Sequence, residues 1–195
     1  MIKELKIKNF KCFESLKLDL KPLNVLMGLN GMGKSTVIQS LLLLRQSYQE
    51  NGLSDLKLNG SYVTLGNGKD VLSERSENEK IEFYVKEAEG HLWVCSDYIS
   101  DSDLLPNSSL ENAFSKGMSS ALLNDRFLYL SAYRIEPRVL YHIADEKELQ
   151  RRDFGNNGEL AIHYLNVYGS KNIENDCVIY NSLEDRSLNE QVKSW

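Results

Sequence analysis

A nine-residue segment rich in glycine constrains this chain more than any other feature. It reads Gly28-Leu29-Asn30-Gly31-Met32-Gly33-Lys34-Ser35-Thr36 and follows the apolar triplet Val25-Leu26-Met27. Glycines let successive main-chain N–H groups point inward at phosphate oxygens. A helix that begins at such a loop adds the positive end of its dipole. The segment therefore predicts a phosphate-binding P-loop between a strand buried on both faces and a helix.

The residues of this P-loop have distinct expected roles. Lys34 is predicted to reach the β- and γ-phosphates of ATP, which makes it the candidate catalytic residue. The Ser35 hydroxyl is predicted to bind Mg²⁺, and Thr36 to hydrogen-bond the α-phosphate. The remaining residues are expected to surround the phosphates with main-chain amides: Gly28, Leu29, Asn30, Gly31, Met32 and Gly33. ATP and Mg²⁺ are thus the predicted cofactors.

The residues around the P-loop alternate in hydropathy. Leu5 and Ile7 alternate with lysines, and Leu16, Leu18 and Leu20 alternate with charged residues, which predicts two strands joined by a turn at residues 9–13. After the P-loop, a stripe on one face predicts an amphipathic helix that ends at Asn51-Gly52. The stripe consists of Val37, Leu41, Leu44 and Tyr48, with Ile38 and Leu42 beside it.

The rest of the chain is predicted in less detail. Short strands are expected at 62–65 and 71–72, and alternation on either side of residues 87–90 predicts a hairpin over 81–95. Residues 99–120, rich in Ser, Asp and Asn, are expected to form a loop. Phe127 to Leu130 is predicted to be another buried strand, Glu159 to Val167 a short helix, and residues 190–195 the start of a helix.

Composition and charge exclude several classes of protein. Apolar residues make up 42% and charged residues 26% of the 195 residues, as in a globular protein. The longest apolar run, Leu41 to Leu44, is far too short to span a membrane, and the N-terminus does not have the pattern of a signal peptide. We therefore expect a cytoplasmic protein. The cysteines and histidines show no metal-ligand spacing.

The charge is distributed unevenly between the two ends of the chain. Residues 1–50 hold 8 Lys and Arg against 4 Asp and Glu, a net charge of +4. The remaining residues hold 15 against 24, a net charge of −9. The acidic remainder argues against broad, nonspecific binding to DNA but leaves room for a local basic patch.

Residues 1–50 resemble the N-terminus of SMC, RecF and OLD-type ATPases. The resemblance is carried by Ile7-Lys8-Asn9-Phe10-Lys11-Cys12-Phe13, by a second strand, and by residues 23–36. Residues 129–138, Tyr-Leu-Ser-Ala-Tyr-Arg-Ile-Glu-Pro-Arg, and Asn157-Gly158-Glu159 resemble stretches of prokaryotic AAA-labelled ABC ATPases of the OLD and anti-phage defence kind. Met32 departs from that pattern, in which serine is usual, but its main-chain N–H can serve equally.

This resemblance implies a fold and a domain organisation. The fold is α/β: the N-terminal lobe of an ABC ATPase head, a P-loop NTPase with a mixed core sheet and an antiparallel β layer, incomplete by itself. Residues 1–195 form that one lobe, divided into 1–50, 53–98, 99–126 and 127–195. Lys11 would lie near the base or phosphates of ATP, unless it is a solvated lysine at a strand end. Ser131 to Arg134 would occupy the place of the Q-loop, while Arg134 and Arg138 are equally compatible with surface ion pairs.

Several elements of a complete ABC ATPase are missing from the sequence. No four-residue apolar strand is followed by Asp-Glu, the Walker B pattern, and no signature sequence follows the P-loop. Walker B supplies the carboxylates that hold Mg²⁺ and orient the attacking water. We therefore expect no turnover from this chain alone. Either the chain is the front part of a longer protein, which the helical start at residues 190–195 favours, or a separate subunit supplies the rest.

Three functions remain open at this stage. The first is an ATPase lobe in DNA repair or phage defence that forms a homodimer of heads through ATP, with a nuclease or other effector subunit or nucleic acid as further partners and no membrane. The second is a P-loop kinase or GTPase, against which stand the two strands before the P-loop and the absence of an Asn-Lys-x-Asp motif. The third is an assembly module in which the nucleotide is structural.

Overall fold

A computed structural model describes residues 1–109, 120–124, 127–131, 143–146, 149, 158–175, 178–179 and 185–194. The chain forms two compact units, Met1–Phe127 and Leu128–Trp195. The described strands are β1 (Ile2–Phe10), β2 (Phe13–Asp19), β3 (Asp55–Lys57), β4 (Lys80–Glu87), β5 (His91–Asp97) and β6 (Leu104–Pro106). The described helices are α1 (Lys34–Asn51), α2 (Gly68–Val71), α3 (Ala161–Tyr168) and α4 (Leu188–Ser194). All of these helices are too short or too polar to cross a lipid bilayer.

The first unit is built on a four-stranded antiparallel sheet with the strand order β2-β1-β4-β5. Leu5 pairs with Val85 and Ile7 with Phe83, and these four side chains are almost completely buried on one face. Phe10 packs edge-to-face on Phe83, with ring centres 5.1 Å apart. Alternating apolar residues thus cover one face of the sheet, as expected of a sheet with one solvated side. The antiparallel sheet and the β4–β5 hairpin are confirmed.

Helix α1 begins and ends at glycines in the left-handed region. Gly33 (φ 83°) precedes its first residue, and Gly52 (φ 66°) follows its last, donating its N–H to the Tyr48 carbonyl at 3.0 Å. The helix and its end are therefore as predicted. The predicted apolar stripe is only partly correct, because Ile38 and Tyr48 are 44% and 39% exposed.

Three consecutive polar residues, Arg45, Gln46 and Ser47, are buried on α1 where the stripe predicted none. The Gln46 amide donates to the carbonyls of Lys57 and Val63 at 2.6 and 3.3 Å and accepts the N–H of Val63 at 2.9 Å. The Ser47 hydroxyl accepts the N–H of Lys57 at 2.9 Å. These side chains satisfy main-chain groups that would otherwise be buried without partners.

The strands predicted at 62–65 and 71–72 are wrong. Residues 62–65 contain one isolated bridge, between Asn59 and Thr64, and the N–H groups of Val63 and Leu65 also donate to the side chains of Gln46 and Asn59. Val71 is the last residue of the short helix α2. The helix begins after Asn67, and the N–H of Asn67 donates to the Asp70 carboxylate at 2.8 Å. Local side-chain hydrogen bonds replace the ladder of a sheet here.

The loop predicted at 99–120 contains one strand, because β6 pairs with β3 in a two-stranded antiparallel sheet. Leu56 and Leu105 face each other in this pair and are both fully buried. Residues 110–119 lie outside the described residues.

Two predicted buried strands are exposed coil. Val25 is 70% and Met27 86% exposed, and no described strand pairs with residues 23–27. Leu128 and Leu130 are 52% and 62% exposed, again outside any strand. A strand buried on both faces requires neighbouring strands and covering helices. The described part of the chain provides neither for these segments, so the mixed core sheet is not formed in it.

The second unit contains α3 and α4. Helix α3 lies within one or two residues of the predicted bounds, and the ring nitrogen Nδ1 of its His163 accepts the N–H of Ala144 at 3.0 Å. Helix α4 covers the predicted helical start, and Gln191 on it donates to the Asp185 carbonyl at 2.6 Å. An isolated bridge joins Asn172 and Ser187.

Candidate functional site

The P-loop backbone adopts the conformation that its glycines permit. Gly28, Gly31 and Gly33 have φ angles of 143°, 84° and 83°, in a region that other residues rarely adopt. A Cβ atom at Gly28 or Gly31 would meet nothing within 4 Å, so the inside of the loop is open there. Gly33 differs, because a Cβ at that position would collide with the Phe13 ring and lie 2.8 Å from the Cys12 sulfur.

The loop leads directly into the N-terminus of α1. The first helical hydrogen bond runs from the Val37 N–H to the Gly33 carbonyl at 3.1 Å. The N–H groups of Lys34, Ser35 and Thr36 therefore precede the helical ladder and have no acceptor within the helix. Such groups, together with the helix dipole, favour an anion in front of the helix.

Lys34 closes the loop with its side chain. Its ammonium donates to the carbonyls of Gly28 and Leu29, at 2.8 and 2.7 Å. An ammonium has three N–H donors, so one remains for a phosphate oxygen. The Ser35 side chain is exposed next to it, while Thr36 is buried and its hydroxyl lies 3.7 Å from the Cys12 sulfur, which donates to it. The side chains of Leu29, Asn30 and Met32 are exposed.

These residues fit Mg²⁺-bound ATP. The loop interior is open at two glycines, a lysine with a spare donor lies across it, and an exposed serine hydroxyl stands at the helix start. Residues 28–34 would hold the β- and γ-phosphates, and Ser35 would be a Mg²⁺ ligand. A Mg²⁺ ion held there would supply positive charge against the negative charge of the phosphates.

Lys11 lies beside the P-loop at the turn between β1 and β2. Its φ angle is 52°, its N–H donates to the Val71 carbonyl at 2.7 Å, and its ammonium donates to the Gln39 side chain at 3.0 Å. Burial lowers the pKa of Lys11, against the weaker opposing effects of Cys12 and Asp70. The turn thus places a partly desolvated cation next to the candidate phosphate site.

A cleft of about 790 Å³ lies between this turn, the P-loop and residues 69–75. Its lining includes Lys11, Phe13 and Met32 on one side and Asp70, Ser73 and Arg75 on the other. The far wall is fixed to the turn because the Ser73 N–H donates to the Asn9 carbonyl at 3.1 Å. Sequence reasoning missed this wall, since long-range main-chain contacts, which leave no local pattern, place it there.

The chain matches the family of the AAA ATPase domain over residues 1–193. The chain belongs to this AAA ATPase domain family. A stretch of 44 residues is also 43% identical to the OLD nuclease of Thermus scotoductus. That stretch is 23% of this chain and 8% of the nuclease, so the match spans a small part of that protein's length. Together these matches confirm the predicted OLD-like, ABC-type class of ATPase.

Other residues singled out by the resemblance are placed only in part. Ser131 is half-buried in coil, whereas residues 132–134, Arg138 and Asn157 lie outside the described residues. Gly158 has a φ angle of 75° and precedes α3 by two residues. The Q-loop interpretation of this AAA ATPase domain therefore stays a prediction.

The low pKa of Lys11 predicts a pH-dependent effect of Lys11→Met. Because the folded state binds this proton less tightly than the unfolded state, burial of the ammonium destabilises the fold at neutral pH. We expect the variant to have a higher free energy of unfolding than the parent at pH 7. The gain should shrink as the pH rises towards the ordinary pKa of lysine, about 10.4. Urea unfolding at several pH values measures it.

Lys17→Met is the matched control for this experiment. The hydrogen bond that Lys17 donates to the Glu4 carboxylate raises the pKa of Lys17, so this lysine stabilises the fold at neutral pH and loses that effect as the pH rises. Removing it should lower or leave unchanged the stability at pH 7. A Lys11→Met variant that is less stable than the parent at pH 7 would contradict the prediction.

Proposed function

We propose that this AAA ATPase domain binds ATP with Mg²⁺ at residues 28–36. The observation that carries the proposal is the P-loop geometry: an open glycine-rich turn, closed by the Lys34 ammonium, in front of an 18-residue helix. Lys34 would contact the β- and γ-phosphates, and Thr36 the α-phosphate. Lys11, at the edge of the adjoining cleft, would lie near the phosphates or the base.

We further propose that residues 1–195 do not hydrolyse ATP on their own. Phosphoryl transfer depends on positioned charge, and the sequence lacks the Walker B carboxylates. The exposure of Val25 and Met27 supports this proposal, because the strand that should support the P-loop has no neighbour in the described chain. A loop without that support holds its groups less rigidly than catalysis requires.

In the working assembly, ATP would act as a switch that joins two heads into a homodimer. A signature sequence from the opposite head would complete each site, and ATP binding would stabilise the closed dimer. We propose that the domain works beside a nuclease or other effector acting on nucleic acid, in DNA repair or antiviral defence in the cytoplasm. The likeness to an OLD nuclease supports the nuclease part of this proposal. If the domain were instead an assembly module with a structural nucleotide, ATP would stay bound and unhydrolysed even when the missing Walker B and signature elements were supplied.

Calorimetric titration and a phosphate-release assay test the proposal on the 195-residue chain. We expect saturable binding of one ATP, weakened when EDTA removes Mg²⁺, and much weaker binding of AMP, which lacks the phosphates that Lys34 contacts. We expect phosphate release at the rate of the buffer blank. Failure to bind ATP would remove the proposed site, and Mg²⁺-dependent release that disappears in Lys34→Ala would show that the chain is catalytically complete.

A further inference from the structure

The strongest unexplained feature outside the P-loop is a buried arginine on the same helix. Arg45 lies eleven residues beyond Lys34 on α1, about 16 Å along the helix axis, and is 4% exposed. Its Nη1 donates to the carbonyls of Leu122 and Asn124, at 2.9 and 2.6 Å. Its guanidinium carbon lies 5.0 Å from the centre of the Phe127 ring. Its Nε is buried without an acceptor.

Arg45 contacts the last part of the first unit, which we name the boundary segment, residues 120–124 and 127. The other attachment of this segment is Glu87 at the end of β4, whose carboxylate accepts the Ser120 hydroxyl at 2.6 Å and the Ala121 N–H at 3.0 Å. The Phe127 ring also packs edge-to-face on Tyr62, with ring centres 6.2 Å apart. One carboxylate and one guanidinium thus hold the segment to the two main elements of the unit.

A buried arginine is a costly way to fill this space. Removing a guanidinium from water is unfavourable, and an apolar side chain of similar volume would fill the same space at lower cost. The arginine instead makes contacts of defined geometry: its N–H groups bind two carbonyls, and the planar guanidinium lies over an aromatic ring. The orientation of the segment relative to α1 therefore depends on directional polar contacts of Arg45.

We propose that Arg45 is a positioning residue that makes the boundary segment respond to nucleotide at the P-loop. Helix α1 carries the phosphate site at its N-terminus and Arg45 in its second half, so anything that stabilises the helix also stabilises what Arg45 holds. The chain continues from Phe127 directly into residues 128–131 at the start of the second unit. This inference rests on the proposed ATP site.

Hydrogen exchange of peptides covering the boundary segment tests the proposal, with and without a non-hydrolysable ATP analogue and Mg²⁺. We expect the analogue to slow exchange there by about threefold or more in the parent chain. In Arg45→Lys, which keeps the charge but lacks the planar guanidinium that lies over the Phe127 ring, this response should vanish. Affinity for the analogue should stay within about twofold of the parent, since Arg45 is one turn or more from every P-loop residue.

Further variants separate positioning from stability. Phe127→Leu removes the ring but keeps an apolar side chain, so it should reduce the response even if Arg45→Lys fails to fold. Arg186→Met, at an exposed arginine of the second unit, should leave the response unchanged. If the role of Arg45 were purely structural, Arg45→Lys would raise exchange equally with and without nucleotide. That result would overturn the proposal. A full response in Arg45→Lys would also overturn the proposal, and so would a parent chain that binds the analogue without any change in exchange. A parent chain that does not bind the analogue would remove the proposed ATP site as well.

Discussion

Replacing Lys34 with alanine is expected to abolish measurable ATP binding while leaving the fold intact. The ammonium crosses the loop and would contact the β- and γ-phosphates, with two of its donors already on loop carbonyls. Its removal should weaken ATP binding at least about 100-fold, or roughly 3 kcal/mol. The fold should tolerate the change, because the two carbonyls belong to exposed residues that water can reach. Calorimetric titration measures the affinity, and urea unfolding measures the stability.

Lys8→Ala is the matched control for this prediction. Lys8 is an exposed lysine on β1, paired with Glu82 at 3.3 Å, so the same change in charge is made away from the P-loop. It should leave the affinity for ATP within about twofold of the parent. Equal affinities of Lys34→Ala and the parent would remove the P-loop assignment.

The elements predicted correctly are those whose pattern is local. Leu5 and Ile7 alternate with lysines because β1 has one buried face, and the same holds for Ile81, Phe83 and Val85 on β4. The two ends of α1 could be predicted because glycine is the residue that adopts left-handed φ angles most easily. The positive φ angles of Gly28, Gly31 and Gly33 follow for the same reason, while phosphate binding by this loop stays a prediction.

The elements predicted wrongly depend on partners that a local pattern does not reveal. Val25-Leu26-Met27 is apolar enough for a buried strand, yet a strand exists only where another one pairs with it. Gln46 has no apolar character but is fully buried, because it satisfies main-chain groups of residues 57–63. Because the side chain of Gln46 is polar, a helical wheel assigns it to the solvated face.

The candidate site shows the same division. Lys11 was expected near the nucleotide from resemblance alone; it lines the cleft together with Gly31 and Met32, and its role there stays a prediction. The opposite wall at residues 69–75 could not be predicted, since its position follows from the hydrogen bonds of Lys11 and Ser73. The cleft therefore could not be predicted, because it depends on tertiary contacts. The loop at residues 28–36 could be recognised as a candidate phosphate site from its sequence alone.

The second large expected effect is a loss of stability in Gly33→Ala that Gly31→Ala does not share. It follows from the different surroundings of the two glycines. Both residues have φ angles near 84°, so alanine costs about 1 kcal/mol of backbone strain at each. At Gly31 the new Cβ meets nothing within 4 Å, whereas at Gly33 it collides with the Phe13 ring and comes within 2.8 Å of the Cys12 sulfur. We expect Gly33→Ala to lose about 1–3 kcal/mol more than Gly31→Ala in free energy of unfolding.

Urea unfolding of both variants measures this difference, and a second substitution identifies its cause. Phe13→Ala should destabilise the parent by removing a half-buried ring. In the Gly33→Ala background it should cost much less, or raise the stability, because it removes the ring with which the new methyl group collides. Equal stabilities of the two glycine variants would show that the turn at residues 11–13 moves freely away from the P-loop. A difference relieved by Phe13→Ala would instead show that the first two strands fix the position of the loop, which ties the phosphate site to the sheet.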